Sequence, residues 1–216
     1  MKDFSPVTFD YAACDKEVKE LANLLATRSS LKESHDILPF FKARPQLSAL
    51  CGHYNPNMGR HDLVAWEYDL FGDFACDVAV GDSVKKTYTF LEFEDAGNKS
   101  LFTRQGKKAT REWSARFDHG YSQIIDWFYK LNDERKSDAY NTRFGKSSID
   151  FVGVLVVGRD RFLEPGERLR LEWRRENVVV QSKRVVCLTF DELARDLAER
   201  LRYFALPAKT LGKRPK

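Results

Sequence analysis

At 216 residues, with 43% hydrophobic and 31% charged side chains, the chain is too apolar to be disordered and long enough to bury a sizeable core. Its net charge of +4 permits a polyanionic partner without requiring one, and no stretch approaches membrane-spanning length. Cys14, Cys51, Cys76 and Cys187 stand apart, without disulfide framework or zinc spacing, and the N-terminus lacks an apolar signal core. Reduced thiols in a cytoplasmic protein are therefore expected.

The first elements read as helices. Ala12, Val18, Leu21, Leu24 and Leu25 predict an amphipathic helix over 11–26. Ser30 and Glu33 have capping-box spacing and predict a second helix running to about Phe41, with Pro39 restricting its last turn. Pro45 opens a third over 46–51, and Gly52–Gly59 reads as a loop. Residues 1–58 thus form a helical lead-in expected to pack on a core domain, 59–206, with a basic tail at 207–216.

Strands follow at His61–Phe71, Phe74–Val80 and Thr87–Glu94. The last two are joined by Gly81–Lys86, a polar loop suited to a hairpin. Ala96–Arg111 reads as a loop, and Glu112–Leu131 as a helix burying Phe117, Tyr121, Ile124, Phe128 and Leu131. Asn132–Lys146 reads as a surface connection, Ile149–Val157 as a strand buried on both faces, and Leu169–Trp173 and Arg184–Leu188 as further strands. Thr189 and Glu192 predict the cap of a last helix carrying Leu193, Leu197, Leu201 and Phe204 on one face. The fold class is α/β, a mixed sheet with helices on both sides.

Chemistry concentrates on the Thr87–Glu94 strand. Alternation puts Tyr88, Phe90, Glu92 and Glu94 on one face, which starts aromatic and ends in two carboxylates. Antiparallel pairing brings Asp77 beside them at one end of the pair. Clustered carboxylates repel one another unless a cation lies between them, and hard oxygen donors suit Mg²⁺ or Mn²⁺. By spacing alone, a solvated strand face is the commoner reading of Glu-x-Glu; the aromatic start of the face argues against it. On the predicted helix His119, Gln123 and Asp126 project together, suited to proton transfer or to holding water or phosphate. Gly120 permits a close approach there. Arg104, Lys107, Lys108 and Arg111 flank the acidic strand's exit, as phosphate contacts or as an ordinary solvated loop.

The order and spacing of Leu91–Asp95, Leu101–Lys107 and His119–Trp127, continuing through Val156–Arg159 to Leu188–Leu193, resembles the Shedu family of prokaryotic anti-phage defence proteins, over roughly residues 60–200. The resemblance implies a PD-(D/E)XK, restriction-endonuclease-like fold and a DNA endonuclease or nickase dependent on Mg²⁺ or Mn²⁺. Asp77 and Glu92 then take the first two acid positions as metal ligands. Glu94 stands where the superfamily commonly has Lys; as a further metal ligand it would leave positive charge to Lys99, Arg104 or another basic group. Gln123 would position water or phosphate, His119 would assist, Trp127 would pack, and Lys99, Arg104, Lys107, Lys108 and Arg111 would contact DNA. A homo-oligomer and a phage-derived trigger are expected. The alternatives are a catalytically inactive nucleic-acid-binding or sensing module with a decayed nuclease core, and a regulatory or structural assembly protein.

Overall fold

The computed structural model describes residues 3–205; the basic tail expected at 207–216 and the side chain of Phe204 lie outside them. In chain order the elements are β1 (Ser5–Pro6), α1 (Tyr11–Thr27), a π-helical turn (Glu33–Ile37), α2 (Leu38–Lys42), α3 (Pro45–Leu50), β2 (Leu63–Leu70), β3 (Phe74–Gly81), β4 (Thr87–Phe93), β5 (Phe102–Thr103), β6 (Glu112–Trp113), α4 (Ala115–Asp133), α5 (Asp138–Phe144), β7 (Asp150–Val156), α6 (Pro165–Asn177), β8 (Val179–Val180), β9 (Lys183–Arg184), β10 (Val186–Leu188) and α7 (Phe190–Ala205). Six strands make a mixed sheet in the order β1-β2-β3-β4-β7-β10, antiparallel up to β4 and parallel beyond it. The architecture is the α/β one expected and is consistent with a restriction-endonuclease-like fold. No helix among the described residues is long and apolar enough to cross a membrane.

Two hydrophobic clusters sandwich the sheet. On one face α1, α2, α3 and α7 cover Val78, Val80, Leu91, Phe93, Val154 and Val156. On the other α4, α5 and α6 cover Ala79, Tyr88, Phe90, Phe151 and Leu155. Every residue of β4 is buried, because helices cover both faces of the strand. All four cysteines are free and buried. The lead-in shares its apolar core with the sheet and adds an edge strand, β1, that its helical reading omits.

Several expectations are corrected. Ser30 and Glu33 form no capping box: Lys32 is the N-cap of the π-turn and makes no side-chain capping bond, and Pro39 lies in the first turn of α2 rather than a last turn. The helix expected from Glu112 starts at Ala115, since Glu112–Trp113 pairs with Phe102–Thr103 and Ser114 caps the helix by accepting the Phe117 N–H. The Asn132–Lys146 connection contains α5, which buries Tyr140 and Phe144. Leu169–Trp173 is not a strand but the middle of α6, started by Pro165 and a Glu164–Glu167 capping box. The Thr189–Glu192 box forms as expected: the Thr189 hydroxyl accepts the Glu192 N–H, and the Glu192 carboxylate accepts the Thr189 N–H.

Candidate active site

The β3–β4 ladder is paired as far as Val78 and Leu91; one position beyond, Asp77 reaches across to β4, its carboxylate accepting the Phe93 N–H at 2.8 Å. Glu92 is 6% exposed and Glu94 1%. Glu94, one residue past β4, lies near enough for its charge to act on both Asp77 and Glu92, but the three do not make a metal-holding group. On the other side of Asp77 the β2 ladder breaks at Glu67, which adopts the left-handed backbone at φ 50° between the paired residues Trp66 and Tyr68. Non-glycine residues there are strained, and such strain clusters at functional sites.

Burial dominates the electrostatics. It raises the Asp77 carboxyl to about 7, opposed by the Phe93 N–H and aided by the negative charges of Glu33, Glu94 and Glu67. Burial and then repulsion from Asp77, Glu94 and Glu33 hold Glu92 well above the carboxylate range. Neither meets a Lys or Arg among the described residues.

Glu94 differs. Its Oε2 accepts from Arg116 at 3.0 Å and its Oε1 lies 2.8 Å from His119 Nδ1. Arg116 also reaches Asp95 at 3.2 Å and Glu33 at 3.5 Å. The hydrogen bond to Glu94, against the cost of burial and with help from the neighbouring acids, strengthens its hold on the proton. Asp95 further accepts from Lys32 Nζ at 2.8 Å and the Glu33 N–H at 3.0 Å. Although burial opposes the charged form, these bonds keep its carboxyl below the ordinary range. The close packing that builds this corner needs Gly120: a Cβ there would lie 2.7 Å from Leu155 and 3.1 Å from Glu94. Gly120 thus serves the close approach read from its place in the helix.

One turn along α4, Gln123 Oε1 and Trp127 Nε1 are both buried without a hydrogen-bond partner among the described residues. Trp127 is 1% exposed and packs as expected, while its indole N–H stays unpaired. An open cleft of about 420 Å³ is lined by Asp95 and Arg116 together with Lys32, Lys99, Ser100 and Thr103. Lys99, among the expected DNA contacts, thus lines the cleft. Arg104 and Lys107 project from the β5–β6 loop into solvent, and Lys108 pairs with Glu112. Arg111 instead binds the buried Glu167 through Nε at 2.6 Å and Nη2 at 2.5 Å, which fixes the loop to α6. Lys32, Glu67 and Arg116 carry no signal in the sequence, where nothing local distinguishes them from surface charges, and Glu33 stands out there only as a capping residue.

No group of three or more His, Cys, Asp or Glu side chains among the described residues is arranged to hold a metal ion. Asp77 and Glu92 nevertheless fit a hard divalent cation as a pair, being a half-buried and a buried oxygen donor without a counter-charge among the described residues. Mg²⁺ commonly takes one or two carboxylates and leaves its other positions to water and substrate phosphate. The family model described as Shedu protein SduA, C-terminal, matches residues 30–194. No curated protein matches the chain.

Proposed function

The chain belongs to the Shedu family of anti-phage defence proteins, and from that premise we propose that it is a divalent-metal-dependent DNA endonuclease or nickase of the PD-(D/E)XK type. The observation that carries this reading is the Asp77–Glu92 pair: Glu92 is buried and Asp77 half-buried, the charge of Asp77 acts on Glu92, and neither pairs with a Lys or Arg among the described residues. Asp77 and Glu92 would hold Mg²⁺ or Mn²⁺, which would supply a Lewis acid for the phosphoryl oxygen and activate the attacking water. Gln123, with its buried Oε1 free, orients that water. Arg116, braced by Glu94, Asp95 and Glu33, supplies the positive charge expected of the lysine that Glu94 replaces. His119, 66% exposed beside Glu94, is placed to exchange a proton with solvent. Lys32 and Lys99 receive the DNA backbone in the cleft.

A binding-only module is the second reading, favoured by one observation: both oxygens of Glu94 are engaged by Arg116 and His119, so no third acid is free to ligate. Plasmid DNA incubated with Mg²⁺, Mn²⁺ or EDTA separates the two. Metal-dependent nicking that Asp77→Asn and Glu92→Gln abolish is expected. Salt-sensitive DNA binding with no cleavage in either metal points to the binding-only module instead.

A further inference from the structure

The middle of α6 is hydrophobic where it meets solvent. Leu169 and Trp173, four residues apart on one face, are 66% and 63% exposed. They border a pocket of about 420 Å³ completed by Trp113, Arg170, Arg174 and Val178. Behind Trp113 runs a row of buried rings: Trp113 lies 4.4 Å from Phe102 and 4.3 Å from Phe117, which in turn stacks on Tyr121 at 5.7 Å. Two guanidinium groups lie over these rings. Arg170 sits 4.8 Å from the Phe102 centroid and 5.3 Å from Trp113, and Arg174 sits 4.3 Å from Tyr121 and 4.8 Å from Phe117.

Neither guanidinium meets a carboxylate among the described residues. Arg170 donates only to the Arg111 carbonyl, at 2.6 Å, and Arg174 Nε is buried with no acceptor. The exposed Trp173 indole and the half-buried Trp113, next to two guanidinium groups without a carboxylate among the described residues, ask for a ligand with a flat π-face and a negative charge close to it. A nucleotide has both, since base–aromatic stacking supplies affinity and the adjoining phosphate meets the arginines. An aliphatic partner would leave the two charges unanswered.

The pocket is also correctly placed. Trp113 immediately precedes Ser114, and Ser114, Ala115 and Arg116 line the cleft. The β5–β6 pair stands between the two, Thr103 lining the cleft and Trp113 the pocket. We infer that this pocket seats an unpaired base of the DNA strand whose backbone crosses the cleft, stacked on Trp173 with its phosphate at Arg170. The inference rests on the nuclease reading above and adds to it a preference for unpaired DNA.

Intrinsic fluorescence of the full chain, titrated with single-stranded oligothymidylate and with a matched duplex in EDTA, tests it. Trp173 is the most exposed tryptophan and its stacking should quench the signal, more strongly for the single strand. Trp173→Ala should remove most of the quench and weaken single-strand binding about tenfold. Trp173→Phe should keep the affinity and lose the quench, which excludes a misfolded variant as the cause. Equal affinity in wild type and Trp173→Ala overturns the proposal while leaving the nuclease reading intact. A change of molar mass in Trp173→Ala without a change in DNA affinity also overturns it, and assigns the face to a second copy. Failure of the wild-type chain to bind any DNA overturns this proposal and the nuclease reading together.

Discussion

On the proposed nuclease reading Glu94 and Arg116 act together: Glu94, one residue past the end of β4, accepts from Arg116 in the first turn of α4, and Arg116 supplies the cation. Arg116 is close to fixed, with carboxylates at 3.0, 3.2 and 3.5 Å, so its guanidinium presents the same face whenever substrate arrives. Preorganised charge of this kind contributes to catalysis because it needs no reorganisation during the reaction. Arg116→Met should therefore lower metal-dependent cleavage about 100-fold with the fold retained by circular dichroism, and Arg116→Lys should recover part of the loss. Undiminished cleavage by Arg116→Met would remove it from the site. The acids on β3 and β4 could be read in the sequence, because period-two alternation fixes which side chains share a face. Their partners could not. Lys32 meets Asp95 across 63 positions, and Arg116 meets Glu94 across 22, separations at which spacing carries no information.

Among the elements, the β3–β4 hairpin sets the register that brings Asp77 to Glu92, and Asp82 holds that hairpin. Its two carboxylate oxygens accept the N–H groups of Gly59, Arg60, Val84 and Lys85 at 2.8 to 3.0 Å. Burial opposes the charge, but these donors outweigh it and keep the carboxyl below its ordinary value. A depressed folded-state pKa adds stability above the unfolded value, about pH 4, and that stability is lost as pH falls through the folded value. Asp82→Asn should thus cost about 2–3 kcal/mol in chemical denaturation at pH 7. The gap to wild type should narrow as pH falls below about 4; a gap that is constant with pH would exclude the charge as its source. Helices α5 and α6 show why some elements stay hidden in the sequence. The Leu-Arg-Leu-Glu-Trp run of α6 alternates with a period of two, yet of its apolar residues only Leu171 is buried and the helix begins at a proline and a capping box. In α5 two buried rings, Tyr140 and Phe144, sit in a polar segment too short to show a stripe.

At the scale of the whole molecule, the sheet puts two different tasks on its two faces. The face under α1, α3 and α7 is closed, and Arg159 joins it at the end of β7. Fully buried, Arg159 donates to Asp191 of α7 at 2.8 Å and to the Leu25 and Arg28 carbonyls of α1 at 2.7 and 3.0 Å. Breaking such a buried pair from one side leaves an uncompensated charge. At the start of α4, Arg116 and Asp95 line the open cleft, and Arg116 joins it to Glu94; further along the same helix Gln123 and Trp127 carry buried polar atoms without partners among the described residues. The matched segment, 30–194, takes in the π-turn that supplies Glu33, both acidic strands, α4 and α6. The α/β class and the acidic strand pair follow from patterns within a dozen residues. The cationic half of the site follows only from how the lead-in and α4 close over the strand ends.

The central claim is that Asp77 and Glu92 together hold the divalent ion. It is tested most directly by counting bound Mn²⁺ by electron paramagnetic resonance in the presence of a short DNA duplex, for wild type, Asp77→Asn, Glu92→Gln and Glu94→Gln. Tight Mn²⁺ in wild type and Glu94→Gln, lost in Asp77→Asn and Glu92→Gln, is the expected result. Equal Mn²⁺ binding in wild type and Glu92→Gln would contradict it, as would loss in Glu94→Gln alone.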